Sequence, residues 1–488
     1  MERIIGYLEE NYLPQARWWP WKGTKRSLEL LGGSGDGEIT ILLFRSNNLV
    51  FHLPLARVTE VPANLKTRGF CIGNECYVEA EYLPKYIESL SKIEGITVEY
   101  LQETSELTEV LHAEPLTLES TNTVALYETK SGSRLVLKSY RLIPMVNMEA
   151  LMLRRLAEEK YRHIPEILAF IRYRDTVTGV VSRFVRGVGD GGYPFYKSLL
   201  KSLSGEGSCL RIGLASKLGI IISGLHRALN SERGDFFGAE PISDGDVEKW
   251  RARLERMYSS SLKRLDELVS SERDNVGNEA AYWRDMLEKT RGIVEDAASM
   301  LDEYVGLMKA RTHQDLHLAQ MIYVESPAED FIITDFEGEP GRSIDERLWK
   351  EPPIRDLASM IRSFHYLSHA AIMSRAGRSQ GEVSKVMISN DPSAAWRLTH
   401  VKAMVYSYLM DVDPRLLGVE RNTLLTGFRR LLYPWIVERA IYETYYESLY
   451  RPSWVSIPIA GLFEAYRVYR GGGALKLAAA LEHHHHHH

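Results

Sequence analysis

Apolar and polar positions alternate through the first third of the chain and then give way to a longer period. Glu38-Ile-Thr-Ile-Leu-Leu-Phe44 and Leu49-Val-Phe-His-Leu-Pro54 are short apolar runs bounded by turn residues, which predicts an antiparallel sheet within the first ~100 residues. From about Val110 a second strand group follows at 116–119, 124–128 and 135–140, with Lys130-Ser-Gly-Ser133 joining the last two as a hairpin. Met148-Glu-Ala-Leu-Met-Leu-Arg-Arg-Leu-Ala-Glu158 has helical spacing and strong helix formers. Strand character returns at 167–171 and 177–185, before a glycine-rich joint, Arg186-Gly-Val-Gly-Asp-Gly-Gly192. Beyond the joint the pattern is mostly helical, over 212–233, 246–309 and 391–450.

This order predicts an α+β protein, with antiparallel sheet plus helix first and a helical region after the joint. At 488 residues the chain exceeds one ordinary core, so two or three structural units are expected. The formal charge of −5 is mild and the basic residues are scattered, which argues against a nucleic-acid or polybasic membrane surface. The first ten residues lack the pattern of a signal peptide, and no run approaches membrane-spanning length. Three cysteines do not suit a disulfide framework, so a cytoplasmic protein is expected, and Cys71, Cys76 and Cys209 read as ordinary thiols in preference to a bridge or a metal pair. Residues 476–488 are a vector-derived tag that holds six of the fifteen histidines.

Chemistry concentrates in two segments, His313-Gln-Asp315-Leu-His-Leu-Ala-Gln320 and Asp335-Phe-Glu337-Gly-Glu-Pro340. Metal-assisted phosphoryl transfer needs one carboxylate to orient the attacking hydroxyl and accept its proton. It also needs oxygen ligands for the magnesium that neutralises the phosphates. Asp315 on a loop entering a strand fits the first role; Gln320 and Asp335 fit the second. A lone His-x-Asp would read as a surface pair with local hydrogen bonds, and the second acidic motif shifts the balance towards chemistry. Glu337 and Glu339 read equally well as supporting contacts or as solvated turn residues. Upstream, Lys138 on the second hairpin strand can meet nucleotide phosphates, with Glu149 on the next helix fixing it, although a strand lysine is more often a solvated edge charge. Ser120, Thr121, Asn122 and Thr123 form a polar turn whose amides and hydroxyls could cover the phosphates, or a plain turn.

With these parts in chain order, the sequence resembles the protein-kinase-like small-molecule phosphotransferases, the group of aminoglycoside and choline kinases, and within it the maltokinases. Residues 313–320 are similar to their H-G-D-x-H-x-x-Q loop, and Asp335-Phe-Glu-Gly-Glu-Pro340 matches D-F-E-G-E-P. Arg355-Asp-Leu-Ala-Ser-Met-Ile-Arg-Ser-Phe-His-Tyr366, the segment 437–454 and Arg17-Trp-Trp-Pro-Trp-Lys-Gly23 resemble further family motifs. Arg439 and His365 depart from the family's Lys and Asp.

The resemblance implies a bilobal protein-kinase-like fold with a cap at 1–105, an N-lobe at 106–186 and a helical C-lobe at 187–475. It implies ATP and magnesium as cofactors, adenine near Arg183 and Val185, and a sugar facing Asp315 with contacts from His317, Tyr366, Arg439, Tyr442 and Tyr446. Tyr442 and Tyr446, four apart on a helix, also read as a core-facing stripe. The implied activity is phosphorylation of the anomeric hydroxyl of maltose, by a monomer or homodimer. Trehalose, another disaccharide or glucosamine is the nearest alternative; glucosamine kinases tend to carry D-F-D-G-N-P and are less expected. An inactive nucleotide- or sugar-binding regulatory protein is the alternative of another class.

Overall fold

The alternating runs fold as two antiparallel sheets. Strands β1 (Glu29–Gly35), β2 (Ile39–Ser46), β3 (Leu49–Val58), β4 (Gly69–Ile72) and β5 (Glu75–Glu79) make the first, in the order β1-β2-β3-β5-β4. The β2–β3 turn is carried by Asn47 and Asn48, at φ 48° and 67°, the left-handed pair that a two-residue hairpin turn requires and asparagine tolerates. Both faces of β2 are buried. Leu42 and Phe44 pack with Trp18, Trp19 and Phe51, while Ile39 and Ile41 pack on the other side with Val78, Tyr127 and Leu137.

The second sheet is built from β6 (Ile96–Tyr100), β7 (Val110–Thr117), β8 (Thr123–Thr129), β9 (Arg134–Ser139), β11 (Ile167–Tyr173) and β12 (Thr176–Arg183), in the order β6-β11-β12-β9-β8-β7. A two-residue strand, β10 (Leu142–Ile143), pairs with β3 of the first sheet. Because β6 lies beside β11, the change of sheet precedes residue 105, and the two sheets share the core of Ile41, Tyr127 and Leu137. The helix Met148–Glu158 follows, its first turn capped by the Asn147 side chain, which accepts from Ala150 N at 3.0 Å.

In this computed structural model, which describes residues 1–206, 209–271 and 275–470, the chain forms two compact units that divide after Arg186. The tag at 476–488 lies outside the described residues. Within the second unit, Gly189–Asp190 pairs with Met321–Val324, which pairs in turn with Asp330–Ile333. The first acidic motif leads into Met321–Val324 and the second leaves Asp330–Ile333, and because Met321 pairs with Ile333 both lie at one end of this small sheet.

Several expectations are corrected. Cys71 and Cys76 form a disulfide: β4 and β5 place them directly opposite, with Cα atoms 4.0 Å apart. A bridge within one hairpin needs only that register, so the argument from cysteine number did not bear on it. The helix Ile212–Leu229 is long and apolar enough to cross a membrane, contrary to the expectation, with 56% of that window buried in the structure. It packs on Ala394–Asp411 at Gly219, where a Cβ would lie 2.2 Å from the Met404 carbonyl oxygen. The span 246–309 resolves into Asp244–Ser271, Asn275–Lys289 and Arg291–Met300, and 391–450 breaks between Asp411 and Arg421 around Pro414 and Gly418. Helix Ile354–Ala376 was not expected. It is buried on nearly every side and so lacks the one-sided stripe that periodicity detects.

Candidate active site

Asp315 is fixed from three directions. Its backbone N–H donates to His313 Nδ1 at 3.2 Å, and the same ring places Nε2 3.1 Å from the Thr334 carbonyl, next to Asp335. Burial keeps His313 below the usual histidine pKa, so the neutral ring serves as a spacer between the two motifs. The preceding backbone is held by Asp356, in the first turn of Ile354–Ala376, which accepts from His313 N and Gln314 N, both at 2.9 Å. Asp356 also receives His226 Nε2 at 2.7 Å. Burial alone would raise its carboxyl, but His226, together with His313 and Arg355, holds it below the ordinary range. Gln314 and Asp335 both have positive φ, 81° and 56°, in a region that non-glycine residues seldom adopt. Anchored backbone on either side sustains that conformation.

The third restraint is electrostatic. Arg439, on the helix Arg421–Tyr450, places Nη1 2.9 Å from Asp315 Oδ1 and 2.8 Å from Glu339 Oε2, and Nε 3.3 Å from Glu443 Oε2. Burial would raise the Asp315 carboxyl, but Arg439 and then His317, 3.7 Å away, bring it down to about 2. Asp315 is therefore ionised at neutral pH. A planar guanidinium can serve three carboxylates at once, which a lysine ammonium does less well, so the departure at 439 has a geometric use.

Glu339 answers the question left open by its motif. It is fully buried, receives hydrogen bonds from Arg342 Nε at 3.0 Å and from Arg439, and forms an ion pair with Arg355, whose Nη2 lies 3.0 Å away. Burial works against its charge, and these guanidiniums overcome the effect and hold the carboxyl well below its ordinary range. Sequence reasoning missed His313, Asp356 and this role of Glu339.

Gln320 bridges the two acidic motifs: its Nε2 lies 3.1 Å from Asp335 Oδ2 and 3.5 Å from Asp315 Oδ2. Turning the amide end would present its oxygen at the same place. The Asp335 carboxylate and an amide oxygen of Gln320 are hard oxygen donors of the kind magnesium takes, so the residues present fit that ion.

A cavity of about 830 Å³ opens beside Asp315. His317, Tyr366, Arg439, Tyr442, Tyr446, Glu443, Glu447, Tyr193, Tyr196 and Trp454 contribute to its wall. The structure thus brings together the expected acceptor residues. Their roles differ, however. Tyr442 is only 3% exposed, stacks on Tyr446 with centroids 6.1 Å apart, and accepts the Gly341 N–H at 2.9 Å through its hydroxyl. Core stripe and cavity wall are the same surface here. Tyr366 donates to Glu447 at 3.0 Å, and burial raises the Glu447 carboxyl. His365 does not line the cavity; it is buried against His369, centroids 4.9 Å apart.

In the first unit Lys138 Nζ lies 2.9 Å from Glu149 Oε1, and Glu149 also receives the Tyr140 hydroxyl. Thr123 pairs in register with Ser139, which sets the polar turn beside the strand of Lys138. The turn itself differs from expectation. Thr123 is fully buried and its hydroxyl donates inward to Glu79, while Asn122 Oδ1 accepts from Arg141 N at 3.4 Å, leaving Thr121 exposed and Ser120 half-buried. Arg183 is paired with Glu106 and Glu166, at 3.0 and 2.9 Å, and its N–H donates to the Glu166 carbonyl; Val185 follows it half-buried.

No family model matches the chain. A curated glucosamine kinase from Streptacidiphilus jiangxiensis is 22% identical over 244 residues, which is half of this chain and 47% of that protein. The matched stretch thus spans about half the length of that relative. A glucosamine kinase crystal structure superposes with a TM-score of 0.64 at 17% identity, covering 94% of this chain and 95% of the other. The fold is shared with glucosamine kinase. Another structure of that enzyme, in complex with glucosamine, ADP and inorganic phosphate, gives 0.58 at 17% identity over 94% of this chain and 98% of the other.

Proposed function

We propose that the chain is an ATP-dependent sugar kinase. The observation that carries this reading is Asp315: an ionised carboxylate, locked in place by Arg439, His313 and Asp356, facing a cavity walled by tyrosines and acids. Tyrosine rings suit the apolar faces of a sugar and the acids suit its hydroxyls. Asp315 accepts a hydrogen bond from the acceptor hydroxyl, aligns its oxygen, and takes the proton as the γ-phosphoryl group leaves ATP for that oxygen. A carboxylate with pKa about 2 is a weak base, so alignment is its larger contribution. Gln320 and Asp335 would hold magnesium, which when bound supplies positive charge to the phosphate oxygens. Lys138, fixed by Glu149, serves the nucleotide phosphates, as do Ser120 and the outward side of Thr121. In this reading residues 1–105 act as a cap, 106–186 as the nucleotide lobe and 187–475 as the acceptor lobe.

Glucosamine is the first acceptor to test, supported by the curated relative and by the structure of that enzyme with glucosamine and ADP. Glu443 and Glu447 in the cavity wall could face a cationic amine. Maltose is the second, favoured by Asp335-Phe-Glu-Gly-Glu-Pro340 and by a cavity larger than one hexose requires. ADP release measured across glucosamine, glucose, maltose and trehalose, with the phosphorylated product identified, decides between them. If no sugar raises ATP consumption above the sugar-free rate, the reading is wrong and a binding protein on this fold takes its place.

A further inference from the structure

Within the first unit a buried carboxylate gathers five side chains from four separate segments. Glu79, at the end of β5, is fully buried; its Oε1 receives Arg141 Nη2 at 2.8 Å, Arg68 Nη1 at 3.2 Å and the Thr123 hydroxyl, while its Oε2 receives the Tyr12 hydroxyl and Trp18 Nε1 at 3.2 Å. Arg141 is also paired with Glu81. Two acids and two guanidiniums therefore neutralise one another without solvent.

Arg68 does more than balance charge. Its Nη2 donates to the carbonyls of Leu118 and Ser120, at 2.8 and 3.1 Å, and its Nη1 to Thr123 Oγ1 at 3.2 Å. One planar group thus grips the polar turn at three points. A trans peptide carries its C=O and N–H on opposite sides, so drawing the Ser120 carbonyl inward turns the Thr121 amide outward. An outward backbone N–H on a fixed turn is a donor suited to a phosphate oxygen.

We propose that Arg68 is a positioning residue for the nucleotide: anchored on Glu79, it holds residues 118–123 in the shape that presents the Thr121 amide to phosphate. The proposal rests on the sugar-kinase reading for what the turn binds, and it assigns the segment before residue 105 a part in nucleotide affinity. Lysine at 68 would keep the charge beside Glu79 but offers one point donor in place of a fork, so it cannot hold both carbonyls and Thr123.

The test uses the full chain with Arg68→Met, Arg68→Lys and a stability control, Ile171→Val, buried on β11 three strands away from β8 and the turn. ADP binding is measured by calorimetry, amide exchange by mass spectrometry over 118–125, and sugar KM by turnover. Arg68→Met should weaken ADP about tenfold and speed exchange in the turn by about a hundredfold, as loss of charge-assisted hydrogen bonds implies, with sugar KM within about twofold. Arg68→Lys should fall between, and Ile171→Val should lower Tm without moving either signal. Unchanged ADP affinity and exchange in both Arg68 variants would overturn the proposal, and so would Ile171→Val reproducing both effects. A wild-type chain that binds no ADP would instead show the nucleotide reading itself to be wrong, and the proposal would fall with it.

Discussion

Each unit buries an ionic network, and the two are built to different standards. In the first, Glu79 and Glu81 face Arg68 and Arg141, and the guanidinium donors find oxygen acceptors, including two backbone carbonyls. In the second, Arg253, Arg342, Arg355 and Arg439 meet Glu339, Glu351, Glu438 and Asp315, yet Arg253 Nη1 and Arg342 Nη1 meet no hydrogen-bond acceptor among the described residues. The first network has the features of a structural tie. The second carries one member, Asp315, on a cavity wall, and its charge balance is complete only when that acid is counted. Buried charge costs desolvation wherever it occurs; what it obtains in return is backbone shape in one unit and a fixed carboxylate in the other.

Substitutions can break this contrast. Asp315→Ala should lower turnover with the preferred sugar by about 10⁴-fold while ADP affinity stays near wild type. A variant with intact turnover would remove Asp315 from the reaction. Glu79→Gln leaves two buried guanidiniums short of a partner and should destabilise the first unit by about 3–5 kcal/mol in chemical denaturation. Loss of under about 1 kcal/mol would show that this network is not a tie, since a single exposed pair is worth no more. Arg439→Gln should reduce kcat by about 10²-fold through misplacement of Asp315, and Arg439→Lys by roughly tenfold. Equal values for the two variants would mean that charge alone, not the fork, positions the acid.

The smallest effect concerns pH. Burial opposes ionisation of Glu79, but Arg141 and Arg68 lower its carboxyl from 4.5 to about 2. A depressed folded value contributes stability above the unfolded pKa and loses it as pH falls towards the folded one. Tm of the first unit should therefore decline between pH 4.5 and 2, and the decline should be shallower in Glu79→Gln. Parallel slopes in the two proteins would assign the acid sensitivity to other groups.

The same contrast explains what the sequence revealed. Asp315, Gln320 and Asp335 were legible because each lies in a short motif whose spacing limits how far the groups can separate. Lys138 and Glu149 were legible for a similar reason, one strand and the following helix. The restraints on Asp315 were not, because Asp356 reaches His313 across 43 residues and Arg439 arrives from a helix much further along. Glu339 could not be told from Glu337, since burial is a property of what surrounds a turn and not of its composition. Thr123 looked like a phosphate ligand for the same reason: only the position of Glu79 shows that its hydroxyl points inward. The sheets followed from alternation, whereas helix Ile354–Ala376, wrapped on nearly all sides, gave no stripe to detect.

Gly341 carries a consequence for selectivity. A Cβ there would lie 2.8 Å from Tyr442 Cε2, and the ring is also held by the Gly341 N–H, by Arg342 4.6 Å from its centroid and by Arg439 at 5.2 Å. A ring pinned from so many sides cannot swing to accommodate a differently shaped guest. That wall behaves as a template of set contour, and on the proposed sugar-kinase reading discrimination among sugars falls to the guest's own stereochemistry: an epimer whose hydroxyl projects towards Tyr442 would be refused by collision, without any rearrangement of the protein.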